Sequence, residues 1–269
     1  MPVYKDIAYI PSGDPKHTLD LYVDDRPKAL PVSRKPALVI YIHGGAWRTG
    51  DKSDVSALCD GILRTAGGRV AVAAISYRLS VLGDKTKMHP MHLDDAAAAV
   101  DFLINSDGYP GSDQIDSGSV FLVGHSAGAQ LATMMAVQPH PKIAECLHKI
   151  RGVLGVGGIY DIPELLETNP GYADFIDMAF TAAQHETASP RHVARSAPPA
   201  AKHMAFLLVN STADELIGPL QSADMARQLI CAGYTDVSLV VKDIDTHYGE
   251  LTSERFWRIV AGFALDRQY

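Results

Sequence analysis

Gly124, Ser126 and Gly128 form a G-x-S-x-G pattern at a position where such a pattern can do chemistry. An apolar run, residues 120–123, ends just before it, and an alanine-rich segment with helical periodicity, residues 127–137, follows it. A sharp turn between a strand and a helix holds a serine hydroxyl at the positive end of that helix, and small residues on both sides let the backbone pass close to its neighbours. The pattern therefore predicts that Ser126 is a nucleophile.

A serine hydroxyl is a weak nucleophile, so it needs a base, and the base needs an acid that orients it. Where the nucleophile sits on a turn of this kind, the acid and then the histidine come later in the chain, each after a strand. Asp214 and His247 each come shortly after a late apolar run. We predict a catalytic triad of Ser126, Asp214 and His247, with Glu215 as the alternative acid.

Attack on a carbonyl also creates an oxyanion, which needs two or three backbone N–H donors. One donor should be Ala127, the residue after the nucleophile. The others should come from the loop after an early central strand, where the run HGGAW begins at residue 43. Its glycines allow backbone conformations that aim amides into a pocket. We predict donors at Gly45, Ala46 and Ala127, with Gly44 as an alternative.

These residues need a fold that gathers them at one edge of a sheet. Continuous β-branched runs indicate strands buried on both faces, whereas the first two runs, joined by a turn-rich segment, indicate an antiparallel hairpin. The predicted strands are residues 3–10, 17–23, 37–42, 70–75, 120–123, 152–156, 205–209 and 237–241. The predicted helices are residues 51–65, 93–104, 127–137, 219–232 and 253–265. This alternation predicts an α/β fold, a three-layer sandwich with a mostly parallel central sheet.

Residues 157–203 interrupt the alternation, because they contain apolar helical pieces and a Pro/Ser/Ala-rich stretch but no clear strand. We expect a single domain over residues 1–269, with a small cap insertion at about 157–203 that hangs over Ser126. An ordinary helix with long loops is the alternative for this segment.

Composition narrows the class of protein. The 269 residues are 47% hydrophobic and 20% charged, which is typical of a globular protein with a sizeable core. The formal net charge of −7 argues against a nucleic-acid partner, and no Lys/Arg-rich block or membrane-length apolar run indicates a membrane. The three cysteines lie far apart without metal-ligand spacing, and no apolar signal core begins the chain. We therefore expect reduced thiols, a cytoplasmic location and no metal.

The motifs together resemble the α/β-hydrolase superfamily and, within it, the esterase group related to hormone-sensitive lipase. The resemblance covers residues from about 17 to the C-terminus and rests on His43-Gly44-Gly45, Ser76-Tyr77-Arg78-Leu79, Asp94-Asp95, the run 124–128, and the pair Asp214 and His247. The HGGxW form of the first motif and the run 158–162 are similar to kynurenine formamidases (arylformamidases). Residues 80–82 depart from the Ala-Pro-Glu expected in the lipase branch.

This resemblance implies a serine hydrolase that needs no cofactor, acts on a small molecule and forms an acyl-enzyme. The most specific expectation is hydrolysis of N-formylkynurenine to kynurenine and formate. The alternatives are a carboxylesterase for short-chain or aromatic esters, an acyltransferase, and a non-catalytic ligand-binding protein on the same scaffold. His43 and Gly44 belong to the motif. Trp47 is expected either to stack on an aryl substrate or to anchor the loop in the core, and Tyr160 either to line the pocket or to pack.

Overall fold

A computed structural model describes residues 2–24, 35–196, 201 and 203–266. Its strands are β1 (Val3–Ala8), β2 (Thr18–Tyr22), β3 (Ala37–Ile42), β4 (Val70–Ile75), β5 (Asp116–His125), β6 (Ile150–Val156), β7 (Ala205–Ser211) and β8 (Val237–Lys242). They form one sheet in the order β1-β2-β4-β3-β5-β6-β7-β8. The pairs β1/β2 and β2/β4 are antiparallel and all other pairs are parallel, so the predicted edge hairpin and mostly parallel sheet are confirmed.

The helices are α1 (Ser56–Ala66), α2 (Met91–Asn105), α3 (Ala127–Val137), α4 (Ile162–Thr168), α5 (Ala173–Ala179), α6 (Pro190–Ser196), α7 (Pro219–Ala232) and α8 (Glu254–Leu265). Short 3-10 turns lie between several of them, at Lys52–Val55, Ser112–Gln114, Leu147–Lys149, Pro170–Tyr172, Ala182–Gln184 and Gly249–Thr252. The first of these turns replaces the start of the helix predicted at residues 51–65. Within the described ranges, no helix combines the length and the apolar character needed to cross a bilayer.

The sheet separates two apolar cores, which is why its central strands read as unbroken apolar runs. Every residue of β3 and β4 is buried. Alternate β3 side chains enter opposite cores: Ile40 packs with residues of α2, α3 and α7, whereas Val39 and Tyr41 pack with residues of α1 and α8. Because alternate residues of a strand point to opposite faces, this pattern requires a helix layer on each side. The predicted three-layer α/β sandwich is confirmed.

A third apolar cluster lies over the carboxyl edge of the sheet. It joins Trp47 and Ala127, which come from the two loops at that edge, to side chains of α4 and α5 such as Ile162 and Ile176. The described part of the predicted insertion, residues 157–196, therefore packs beside the G-x-S-x-G turn. Residues 197–200 and 202 of that prediction lie outside the described residues.

Candidate active site

Ser126 occupies the turn between β5 and α3. Its backbone has a conformation that residues other than glycine rarely adopt. Its φ is 54° and its ψ is −120°. The flanking glycines are required by close contacts: a Cβ on Gly124 would overlap the carbonyl of Gly128, and a Cβ on Gly128 would overlap the carbonyl of Ile42 at the end of β3. A strained conformation held by its surroundings is typical of a functional turn. The G-x-S-x-G pattern therefore forms the sharp strand-to-helix turn that the sequence predicts.

Asp214 and His247 meet through a hydrogen bond of 2.8 Å between Oδ2 and the imidazole Nδ1. Both lie at the carboxyl edge of the sheet, since Asp214 follows β7 and His247 follows β8. His247 lines the same cavity as Ser126. The structure thus brings together the three residues of the predicted triad.

The other candidate acid, Glu215, contacts the backbone of the histidine rather than its ring. Its Oε2 accepts the backbone N–H of His247 at 3.0 Å. The second oxygen of Asp214 accepts the amides of Leu216 and Ile217, each at 2.9 Å. Asp214 is therefore the acid placed to orient the imidazole, and Glu215 is placed to fix the main chain that carries it.

The pKa of Asp214 lies below its ordinary value although its side chain is buried. Burial opposes ionisation, but the hydrogen bonds from the His247 ring and from the two backbone amides outweigh it. The carboxylate is therefore charged at neutral pH. A charged acceptor on Nδ1 stabilises the imidazolium that forms when Nε2 takes a proton.

Three backbone amides near Ser126 have the character expected of oxyanion donors. The N–H groups of Gly45, Ala46 and Ala127 donate none of the hydrogen bonds found among the described residues. Gly45 and Ala46 have φ values of 103° and 51°, so this loop leaves ordinary strand geometry directly after β3. A Cβ on Gly44 would lie 3.0 Å from the Cβ of Ser126, which shows how closely the loop approaches the nucleophile.

His43 supports this loop from inside the protein and does not line the cavity. It is buried, its ring stacks on Tyr77 with centroids 4.4 Å apart, and its Nδ1 donates to the carbonyl of Gly44 at 2.7 Å. The Tyr77 hydroxyl donates to the carbonyl of His43 at 3.0 Å. Burial lowers the pKa of His43 to about 4, so the ring is neutral at physiological pH. His43 is therefore a support for the loop.

The substrate contacts predicted for Trp47 and Tyr160 are corrected by the structure. Trp47 is fully buried, donates its indole N–H to Oε1 of Gln130 at 3.1 Å, and meets Phe180 edge to face at 4.7 Å. Tyr160 is also fully buried, with its hydroxyl against Gly155 in β6. Neither residue is among those that line the cavity. The alternative held open for each of them, packing in the core, is the one observed.

The cavity at Ser126 has a volume of about 330 Å³. It is lined by Ala46, Arg48, Ser126, Ile159, Gly171, Tyr172, Asp174, Phe175, Leu216, Ile217, His247 and Tyr248. Sequence reasoning missed most of this wall. Arg48 and Tyr248 could have been found, because each lies next to a motif residue or a triad residue in the chain, whereas Tyr172 and Phe175 reach the site only through the folding of residues 157–196.

Behind His247, away from the cavity, lies a buried pair formed by His125 and Glu250. The His125 Nε2–H donates to the carbonyl of His247 at 3.0 Å, and the same nitrogen is 3.5 Å from Oε1 of Glu250. Burial, reinforced by the imidazole of His247, lowers the pKa of His125 to about 3. Burial and then the carboxylate of Asp214 raise the pKa of Glu250 to about 9. Both groups are therefore neutral at pH 7.

One group of side chains in the described part of the chain has ligand atoms close enough to share a metal ion. It consists of His125, His247 and Glu250, whose atoms lie within 4.8 Å of one another. Two of these residues already have other partners, since His247 is bound to Asp214 and His125 donates to a carbonyl. We therefore interpret His125 and Glu250 as residues that pack behind the imidazole of His247, and not as ligands of a metal ion.

The state of Glu250 gives a pH-dependent prediction for stability. Its carboxyl is protonated in the folded protein up to about pH 9, whereas its ordinary pKa is 4.5. Between these values folding takes up a proton, so the free energy of unfolding falls as pH rises; below 4.5 and above 9 this dependence vanishes. In Glu250→Gln this contribution is removed. Relative to that variant, the wild type should lose up to about 1.4 kcal/mol per pH unit between about pH 5 and 8.

Urea unfolding of both proteins across this pH range measures the difference. Glu254→Gln is the matched control, because Glu254 starts the next helix, is exposed and pairs only with Arg258 among the described residues. Its stability curve should run parallel to that of the wild type. Parallel curves for Glu250→Gln and the wild type would show that Glu250 is ionised in the folded protein.

Comparisons with known proteins agree with the fold and with a hydrolase. The family model BD-FAE matches residues 19–229. The chain is 32% identical to a kynurenine formamidase of Meyerozyma guilliermondii over 197 residues, which are 70% of this chain and 69% of that protein. It is 34% identical to the kynurenine formamidase avaC of Aspergillus versicolor over 139 residues, but the match spans only 46% of that protein and 48% of this chain.

A solved structure described as a truncated carbohydrate esterase from gut microbiota superposes with a TM-score of 0.77 and 18% identity, covering 99% of this chain and 96% of that one. At this identity the likeness shows the fold. The relatives named kynurenine formamidase add the class of reaction, which is hydrolysis. The chain is therefore a hydrolase of the α/β-hydrolase superfamily, and it belongs to the BD-FAE family.

Proposed function

We propose that this hydrolase cleaves an aryl formamide, N-formylkynurenine, to kynurenine and formate through a formyl-enzyme on Ser126. The observation that carries the proposal is the asymmetry of the cavity around Ser126. On one side Ala46, whose side chain is a single methyl group, lines the cavity together with Ser126, which suits a small acyl group. On the other side Tyr172 and Phe175 form an aromatic wall suited to an aryl ring. The formamidase names of the relatives support the same substrate.

In the proposed reaction, the Ser126 hydroxyl attacks the formyl carbon while Nε2 of His247 takes its proton. Asp214 holds the Nδ1–H and stabilises the imidazolium. The tetrahedral oxyanion is held by the free amides of Ala46 and Ala127, together with that of Gly45. Collapse breaks the C–N bond, and His247 returns the proton to the departing aryl amine. Water, deprotonated by the same imidazole, then releases formate and restores the serine.

We further propose that residues 157–196 act as a cap, because Ile159, Tyr172 and Phe175 from this segment line the cavity.

We also propose that the enzyme acts on a small molecule and uses no metal, cofactor, nucleic acid or membrane. Cys59, Cys146 and Cys231 are free thiols, which supports the cytoplasmic location expected from the sequence.

A carboxylesterase is the second candidate, because the same catalytic groups attack esters and a solved structure that superposes on the chain is described as a carbohydrate esterase. Kinetics with N-formyl-L-kynurenine, p-nitrophenyl acetate and p-nitrophenyl butyrate separate the two. We expect kcat/KM for the formamide to exceed that for either ester by about tenfold or more, with one formate released per kynurenine. Faster turnover of the esters without release of formate would assign the chain to the carboxylesterases.

A further inference from the structure

The cavity at Ser126 carries two charged side chains that the proposed chemistry does not use. Arg48 directly follows the HGGAW run, and Asp174 lies in the first turn of α5. Both line the cavity, and both are exposed to solvent. The cavity thus has a buried reactive end at Ser126 and His247 and an open end with one positive and one negative charge.

Neither charge is neutralised by an ion pair within the described part of the chain. Arg48 and Asp174 take part in none of the ion pairs formed among the described residues. The Arg48 guanidinium lies over the ring of Phe175, with its central carbon 5.3 Å from the ring centroid. Such a contact holds the guanidinium in place and leaves its N–H fork free for a carboxylate.

We propose that Arg48 and Asp174 bind the carboxylate and the ammonium, respectively, of an α-amino acid group on the substrate. This inference rests on the proposed function, because N-formylkynurenine carries such a group on a short arm beside its formamide. With the formyl carbon at Ser126 and the aryl ring along Phe175, that arm extends toward the open end of the cavity. An α-amino acid has an ammonium and a carboxylate bonded to the same carbon, one charge of each sign, which matches the two side chains found there.

Contacts of the substrate with Arg48 and Asp174 should determine which substrate binds and should not accelerate the chemical step. Both side chains lie away from the reacting carbonyl, so their contacts form equally in the ground state and in the transition state. Loss of such contacts raises KM and leaves kcat nearly unchanged. Simple esters without charged groups gain nothing from the charges of Arg48 and Asp174, so KM for these esters should change much less than KM for N-formylkynurenine in either variant.

Direct binding tests the site without turnover. Calorimetric titration compares L-kynurenine with 2-aminoacetophenone, which has the same aryl ketone but lacks the amino acid group. We expect the wild type to bind L-kynurenine about tenfold or more tightly, and Arg48→Gln and Asp174→Asn each to weaken that binding on the order of tenfold. Binding of 2-aminoacetophenone should stay the same in all proteins, which also shows that the variants are folded.

Two control variants match the test variants in charge. Asp177→Asn alters an exposed carboxylate of the same helix that does not line the Ser126 cavity, and Arg227→Gln alters an exposed arginine on α7. Both should leave the affinity for L-kynurenine unchanged. The site is refuted if the wild type shows no preference for L-kynurenine, or if Arg48→Gln and Asp174→Asn leave that preference unchanged.

The assay also separates this inference from the proposed function. A protein that binds L-kynurenine through Arg48 and Asp174 but releases no formate from N-formylkynurenine would refute the proposed function and retain the site. If the wild type, Arg48→Gln and Asp174→Asn all hydrolyse N-formylkynurenine with the same KM, the proposed function is retained and the amino acid site is refuted.

Discussion

Ser126→Ala is expected to lower kcat/KM for N-formylkynurenine and for aryl esters on the order of 10⁴–10⁶-fold, because it removes the atom that forms the acyl-enzyme. Activity that remains would come from binding and from the oxyanion donors. The measurement is steady-state kinetics, together with labelling by a fluorophosphonate, which reacts with activated serines. Labelling of the wild type that disappears in the variant also excludes a non-catalytic binding protein on the same scaffold.

Ser126→Gly provides a control that separates chemistry from strain. The backbone at residue 126 has φ 54° and ψ −120°, a conformation that costs most residues about 1–3 kcal/mol but suits glycine. Ser126→Gly should therefore be as inactive as Ser126→Ala and yet more stable than it by about 1–2 kcal/mol in urea unfolding. Equal stability of the two variants would mean that the turn is unstrained. Full activity in either would remove Ser126 from the mechanism.

The sequence allows the fold to be predicted because its central strands are buried on both faces. Strands β3 and β4 match the predicted runs residue for residue, since nothing but apolar side chains fits between two helix layers. The start of β5 was missed. Residues 116–119 are polar and half-buried, and the strand extends to Asp116 through its pairing with Ala37, a long-range contact that no local pattern shows.

Part of the site could likewise be predicted from the sequence, and part could not. Ser126, Asp214 and His247 follow strands, so topology alone places them at one edge. The aromatic wall depends instead on α5 and the turn before it, which place Tyr172 and Phe175 by packing that sequence does not reveal. For Trp47 the sequence left two roles open, stacking on a substrate or anchoring the loop in the core. The structure shows it buried, with a hydrogen bond to Gln130 in α3 that no local pattern reveals.

Glu250 could not have been found from the sequence, because a glutamate near the C-terminus is ordinarily exposed. Its burial follows from the 3-10 turn after His247, where its backbone N–H donates to the carbonyl of Thr246 at 3.0 Å. That turn directs the carboxyl behind the imidazole. A neutral acid there adds no second negative charge beside Asp214, so the triad keeps one anion.

Asp214→Asn tests which acid serves the triad. Asn at position 214 retains the shape of the side chain but removes the charge that stabilises the imidazolium and favours the wrong imidazole tautomer. We expect kcat to fall by about 10³–10⁴-fold, with little change in KM. Steady-state kinetics with N-formylkynurenine and with p-nitrophenyl acetate should show the same loss, since both reactions use the same base.

Glu215→Gln is the matched comparison, because it removes a neighbouring charge by the same isosteric change. A glutamine oxygen can still accept the backbone N–H of His247, the one contact by which Glu215 touches the histidine among the described residues. The variant should therefore keep kcat within about tenfold of the wild type. A larger loss in Glu215→Gln than in Asp214→Asn would make Glu215 the acid. Because both substitutions remove one negative charge at adjacent positions, a difference between them reports which carboxylate binds the imidazole ring of His247 and not the loss of charge itself.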